Sequence, residues 1–265
     1  LQYAATVYDE MAADAPDRLA EIVSAIGLDP AEVAEWRSLA ARLVQGSENP
    51  DGVIEQFAGY FAREDVPVTE WDENDMPRYP EGYHHHNCEG TQLLKQPDVL
   101  QTMLMFPDAF SPEVKRANFD YYEPRTLHKS SLSPSAHATV GIQVGDHTRA
   151  LQYFTRSALV DLADNQGNTH EGMHIASAAG TWSTLVNGFG GLQIEHGELV
   201  LRPWIPEEWD GVRYRITWRE FRLRVTVTHG EVRVLLEGPE GGRLTVRVGD
   251  APVELVVGQE AVLPR

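Results

Sequence analysis

From about residue 198 onward, apolar and polar positions alternate. In FRLRVTVTHGEVRVLLEG, Leu223, Val225 and Val227 fall on one side of an extended chain, and Arg222, Arg224 and Thr226 on the other. Such alternation fits a strand with one face buried, and His229-Gly230 sits where a two-residue hairpin turn belongs. RLTVRVGDAPVELVVGQEAVL continues in the same style. The pattern predicts an antiparallel β-sandwich module over residues 196–265.

Upstream, over residues 1–195, the pattern predicts helices and connecting loops. LQYAATVYDEMAADA has apolar residues at helical spacing from its first residue, without initiator Met, cap or signal-peptide pattern. That start leads to the expectation of a chain cut from something longer. Asp29-Pro30-Ala31-Glu32 combines an N-cap acid, a proline at the first helical position and a glutamate at the third, and opens a helix running to about Val44. Residues 47–61 read as a turn followed by a strand or a buried extended segment, and residues 64–90, with Pro67, Pro77 and Pro80, as loop. Further helices are predicted at 96–106, 111–121 (Ser111 cap, Pro112 next), 133–145, 147–163 and 170–187. Internal repeats and low-complexity segments are absent from the sequence.

Composition narrows the function classes. With 265 residues and 42% hydrophobic content, a packed core is within reach. The net charge of −18 argues against non-specific nucleic-acid binding. Residues 1–90 hold 5 basic and 19 acidic side chains, against 17 and 21 in residues 91–265, so chemistry on an anion belongs in the later part. The single Cys88 excludes an internal disulfide framework and suits a cytoplasmic setting. No apolar run reaches membrane-spanning length.

Several stretches carry candidate chemistry. In LHKSSLSPSAH, residues 127–137, Ser133-Pro134 reads as an N-cap and first helical position. A helix N-terminus flanked by His128, Lys129, Ser130 and Ser131 would suit phosphate or sulfate; the alternative is serines that only cap and line a polar turn. Glu123, in YYEPRT, joins a carboxylate to two tyrosines, an arrangement suited to sugar hydroxyls and ring faces; a structural ion pair with Arg125 is the alternative. Lys95 and Gln96 stand at a helix start, as ligand contacts or as caps. Glu171 and His174 share a helical face at i, i+3, but no third ligand accompanies them, so no metal site is expected. The small residues after His174 predict a helix face that meets a neighbour closely. HHHN at 84–87 reads as a solvated loop.

LLKQPDV, YYEPRTLHKSSLSPSAH, DLADNQGNTHEGMHIASAAGTWSTLVNGFGGL and LRPWIPEEW, in this order, resemble the C-terminal part of the family 65 glycoside hydrolases. These are chiefly inverting phosphorylases of α-linked glucose disaccharides such as maltose, trehalose and kojibiose. The resemblance implies part of an (α/α)₆ barrel over residues 1–195, followed by the β-sandwich. Inorganic phosphate would be the co-substrate, with no other cofactor, and β-glucose 1-phosphate the product. It further implies Ser130, Ser131, His174 and His128 at the phosphate, and Lys95, Gln96 and Glu123 at the glucosyl unit. In hydrolytic members Glu123 would stand where the catalytic base does.

Two positions depart from the family pattern. Many members have an acid or a polar residue where Lys129 stands, and an alanine where Pro97 stands. The family's general acid lies in a motif upstream of these segments, so this chain by itself is expected to be inactive. Its partners would be a missing N-terminal half or a second copy. A different reading, a non-catalytic carbohydrate-binding module, would use Trp204, Trp209 and Trp218 as exposed platforms.

Overall fold

The computed structural model describes residues 1–43, 46–73 and 76–265, in two compact units, Leu1–Ser47 and Glu48–Arg265. The first unit holds α1 (Gln2–Asp14), α2 (Pro16–Ile26) and α3 (Pro30–Arg42). Asp29 accepts from the Ala31 N–H at 2.9 Å, and Glu32 Oε1 accepts from the Asp29 N–H, so the expected cap is formed. The helix stops at Arg42; Val44, where it was expected to end, lies outside the described residues.

In the second unit, residues 48–62 form neither a strand nor a long extended segment. A single Glu48–Ile54 bridge and the short 3₁₀ turn Tyr60–Ala62 take that place. Tyr60 is wholly buried and donates its hydroxyl to the Gln92 carbonyl at 2.6 Å. Five helices follow: α4 (Asp98–Met105), α5 (Pro112–Tyr122), α6 (Ser133–Gln143), α7 (His147–Ala158) and α8 (Ile175–Ser183). Ser111 caps α5 by accepting from the Val114 N–H. The predicted helix 170–187 is broken. A 3₁₀ turn (Thr169–Glu171) halts at Gly172, whose φ of 134° ends it, and α8 begins only after His174. Glu171 and His174 therefore do not share one helix face.

Nine of the eleven residues of α6 are buried, with polar and apolar side chains all round it. An all-buried helix is a central one. Gly141 permits its close packing, since a Cβ there would stand 3.1 Å from Ala150 Cβ of α7. Leu100, Met103, Phe119, Tyr122 and Val140 fill one core between α4, α5 and α6.

A π-helix (Thr184–Phe189) extends α8 toward the sheets. At Gly191, with φ +67°, a Cβ would meet the Arg202 carbonyl carbon at 2.1 Å, so only glycine fits this crossing. The first sheet has the order β1-β2-β6-β7, from β1 (Leu192–Glu195), β2 (Glu198–Leu201), β6 (Arg243–Val248) and β7 (Ala251–Val256). The second has the order β3-β4-β5-β8, from β3 (Val212–Trp218), β4 (Phe221–Val227), β5 (Glu231–Glu237) and β8 (Glu260–Pro264). The expected alternation holds in β4, where Leu223, Val225 and Val227 are buried. Two details differ from expectation: β2 and β6 run parallel, and the sheet begins at Leu192 rather than after residue 195. Trp204, Trp209 and Trp218 pack against the sandwich core, so they are not the exposed platforms a binding module would need.

Candidate functional site

The site is assembled from three chain segments that meet at α6. Leu94 and Thr126 form a parallel bridge: the Leu94 N–H donates to the Arg125 carbonyl and the Leu127 N–H to the Leu94 carbonyl, each at 2.8 Å. This lays Lys95 and Gln96, both exposed, beside the segment from Glu123 to His128. On the far side α8 approaches α6 so closely that a Cβ at Gly180 would stand 2.4 Å from Ser135 Oγ. Of the small residues after His174, Gly180 meets α6 and Ser177 meets Ser157 of α7, while Ala176 and Ala178 stay exposed, so the expected close neighbour is met at Gly180 and Ser177.

A cavity of ≈ 570 Å³ opens between these segments, lined by Gln96, Leu132, Ser135, Ala176 and Gly180 among others. Leu132 directly follows Ser131, and Ala176 lies two residues beyond His174. Gln96 thus lines this cavity itself, while Ser131 and His174 adjoin it through their chain neighbours Leu132 and Ala176. A cavity of ≈ 770 Å³ between α7 and the Trp204–Glu208 segment holds none of the phosphate or glucosyl candidates.

In the serine loop, Ser130 is buried, Ser131 half-buried and Lys129 exposed. The Ser130 hydroxyl accepts from the Leu132 N–H at 3.3 Å. Ser133 is not the cap that its place before Pro134 predicts. Leu132 takes the N-cap position, and the Ser133 hydroxyl lies 3.1 Å from the Ser130 carbonyl and 2.9 Å from His128 Nδ1. His128 is only 1% exposed, and its Nε2 meets the Tyr153 hydroxyl at 3.0 Å. With both ring nitrogens engaged, it braces the loop from behind. Burial, with His137 and Arg156 nearby, holds its pKa well below the ordinary histidine value, so the ring is neutral.

Glu123 follows α5 in a short 3₁₀ turn. Its Oε1 accepts from the Tyr153 hydroxyl at 2.8 Å, and its Oε2 lies 3.7 Å from Arg149 Nη1. The ion pair with Arg125 considered from sequence is not made: Arg125 donates to both carboxylate oxygens of Asp65, at 2.9 and 2.5 Å. Glu123 also lines a cavity of ≈ 290 Å³ with Trp71, Arg149, Gln152, Tyr153 and Arg156. Burial, then the charge and hydrogen bond of Glu123, push the Tyr153 phenol far above its usual range, so it remains a hydroxyl.

His174 stands at the start of α8, clamped by Asp161. The His174 N–H donates to Asp161 Oδ2 at 2.9 Å, and Nδ1 lies 2.6 Å from Oδ1. A carboxylate at Nδ1 puts the ring proton there, which leaves Nε2 free to face a ligand. The bond to His174 is the main cause that lowers the Asp161 pKa. Asp161, Tyr153 and Arg149 escape sequence reading, and Ser133 reads from sequence only as a cap. The only signal for Asp161 is its position in the same DLADNQGNTHEGMH stretch.

A helical layer that gathers a polar loop, a clamped histidine and a carboxylate around one small-residue helix, followed by two stacked sheets, defines an α-plus-β protein with a candidate anion and sugar site. The chain belongs to glycosyl hydrolase family 65: the central catalytic domain of that family matches residues 1–183, and its C-terminal domain matches residues 192–255. Its relatives include a kojibiose phosphorylase of Caldanaerobacter subterraneus subsp. tengcongensis, 46% identical over 91% of this chain and 32% of the relative. An alpha,alpha-trehalose phosphorylase of Thermoanaerobacter brockii is 33% identical over 90% of this chain and 31% of its own length. A solved structure from the human microbiome, named as a candidate kojibiose phosphorylase, superposes with a TM-score of 0.81 at 30% identity, over 97% of this chain and 35% of that one. The chain thus spans about a third of the length of the curated relatives it matches.

Proposed function

We propose that this chain supplies the phosphate- and glucosyl-binding part of an inverting disaccharide phosphorylase, with α4 to α8 forming part of an (α/α)₆ barrel. The cavity between Leu132, which ends the serine loop, and Ala176 at the start of α8 supports this reading. Ser130, Ser131 and Nε2 of His174 would hold inorganic phosphate, and His128 would hold the loop rather than touch the anion. Lys95, Gln96 and Glu123 would bind the glucosyl unit. Phosphate would then attack the anomeric carbon, while an acid outside these segments protonates the leaving oxygen. The products would be β-glucose 1-phosphate and a free sugar. Phosphate replaces the activated water of an inverting hydrolase, so no catalytic base is needed. The names of the relatives favour kojibiose, trehalose or maltose as substrate.

The whole enzyme would be the longer polypeptide, working in a phosphate-rich cytoplasm, and this chain alone would be inactive. Losing a positioned general acid typically removes about 10²–10⁴-fold in rate.

One observation favours hydrolysis as a second reading. Glu123 lines its own cavity beside Arg149, where a carboxylate could activate water. The test is to give the full-length enzyme each of the three disaccharides with and without phosphate and follow the products by ³¹P NMR. A sugar phosphate formed only with phosphate supports the proposal. Glucose released equally without phosphate selects hydrolysis and removes phosphate from the serine loop.

A further inference from the structure

Five groups form one unbroken line: the Glu123 carboxylate, the Tyr153 hydroxyl, the His128 ring, the Ser133 hydroxyl and the Ser130 carbonyl. The successive separations are 2.8, 3.0, 2.9 and 3.1 Å. Both ends only accept when Glu123 is ionised. Tyr153, neutral His128 and Ser133 then bring three protons to four links, so one link has none.

Where the gap falls follows from strength. The charged carboxylate takes the Tyr153 proton, because a charge-assisted bond is the strongest of the four. Tyr153 oxygen then accepts from His128 Nε2–H, and His128 Nδ1 accepts from Ser133. The gap falls at the longest link, between Ser133 and the Ser130 carbonyl. One added proton at Glu123 reverses the first three links and fills the fourth. Glu123 then donates to Tyr153, Tyr153 to Nε2, Nδ1–H to Ser133, and Ser133 to the Ser130 carbonyl.

We propose that Tyr153 and His128 are positioning residues that convert the protonation state of Glu123 into the hold on the serine loop, with the His128 tautomer as the moving part. The loop is pinned through the Ser130 carbonyl when Glu123 is neutral and released there when it is ionised. The groups facing the line are Arg149 and Arg156 from α7 and His137 from α6. Burial, with His137 packed 4.5 Å from the ring and Arg156 nearby, disfavours charge on His128. The His128 ring therefore carries a single proton in both arrangements. The functional half of this inference rests on the phosphorylase reading, since it makes the serine loop a phosphate site; the tautomer half does not.

Glu123→Gln mimics the protonated state at any pH, because the amide supplies the fourth proton to Tyr153. Neutron diffraction from deuterated crystals of the full-length enzyme at pD 8 reads the tautomer directly. The expected result is deuterium on His128 Nε2 in the wild type and on Nδ1 in Glu123→Gln. The same tautomer in both crystals, or Nδ1 in the wild type, overturns the proposal. Tyr153→Phe provides a second reading: about a tenfold rise in phosphate KM with disaccharide KM within about twofold, a split that general misfolding would not give. Equal rises in both KM values would overturn the link to the loop. An enzyme that hydrolyses without phosphate yet shows the tautomer exchange would refute the phosphorylase reading alone.

Discussion

Asp161 holds His174 by two bonds at once, taking its backbone N–H on one carboxylate oxygen and its ring Nδ1 on the other. The pair fixes both the start of α8 and the direction in which Nε2 points. Asp161→Asn keeps the shape but removes the charge. Hydrogen bonds to charged groups contribute about 1.5–3 kcal/mol, so phosphate KM is expected to rise by about 10–100-fold with a smaller change in kcat. Steady-state kinetics of the full-length variant checks this, and an unchanged phosphate KM would separate His174 from the anion.

Acid should weaken the helical core before it touches the surface. His137 is wholly buried, with Nδ1 donating to the Ser133 carbonyl at 3.0 Å and no partner for Nε2 among the described residues. Burial lowers its pKa to about 4, whereas the unfolded chain would titrate near the ordinary 6.5. The folded state therefore binds the proton less well, so this contribution is complete above pH 6.5 and is lost as pH falls toward 4. From pH 7 to pH 5 the expected loss is about 2 kcal/mol, with His128 acting in the same direction. Urea midpoints at the two pH values measure it, and His137→Gln should flatten the difference.

Gly180 and Ser135 form the closest helix contact beside the candidate cavity. Gly180→Ala puts a methyl 2.8 Å from Ser135 Cβ, so one helix must shift. Overpacking of this kind costs about 1–3 kcal/mol, and Ser135→Gly should recover most of it in the double variant. Thermal or urea unfolding of the four proteins of the cycle gives the coupling. Additive effects would contradict the contact.

How much of this was legible in the sequence depends on range. Caps at Asp29 and Ser111 and the alternation in β4 involve residues within a few positions of each other, and they fold as their sequences direct. Ser133 has the right neighbours for a cap, yet His128 and the Ser130 carbonyl claim its hydroxyl. The 3.6-residue period runs through 170–187, but Gly172 adopts a φ that a helix cannot hold. Glu123 had a nearby arginine in sequence, and Asp65, 60 positions away from Arg125, captured it instead. Tyr153 and the parallel β2–β6 pairing come from packing across long separations, for which a single sequence has no local mark.

Lys129 is a sequence departure whose side chain is exposed beside the serine loop. If it adds to the attraction for phosphate from the solvent side, its effect must be screened by salt. Lys129→Ala is expected to raise phosphate KM by about two- to fivefold at low ionic strength and to match the wild type above about 0.5 M salt. Phosphate titrations at two salt concentrations test this, and a salt-independent difference would indicate direct contact instead.

In the proposed phosphorylase, the serine loop and the start of α8 together hold inorganic phosphate. The most direct measurement is a crystal structure of the full-length enzyme soaked in phosphate. The anion is expected between the Ser130–Ser131 loop and Nε2 of His174, with His128 still behind the loop. Phosphate bound elsewhere, or His174 turned away from a loop that holds only water, would contradict it.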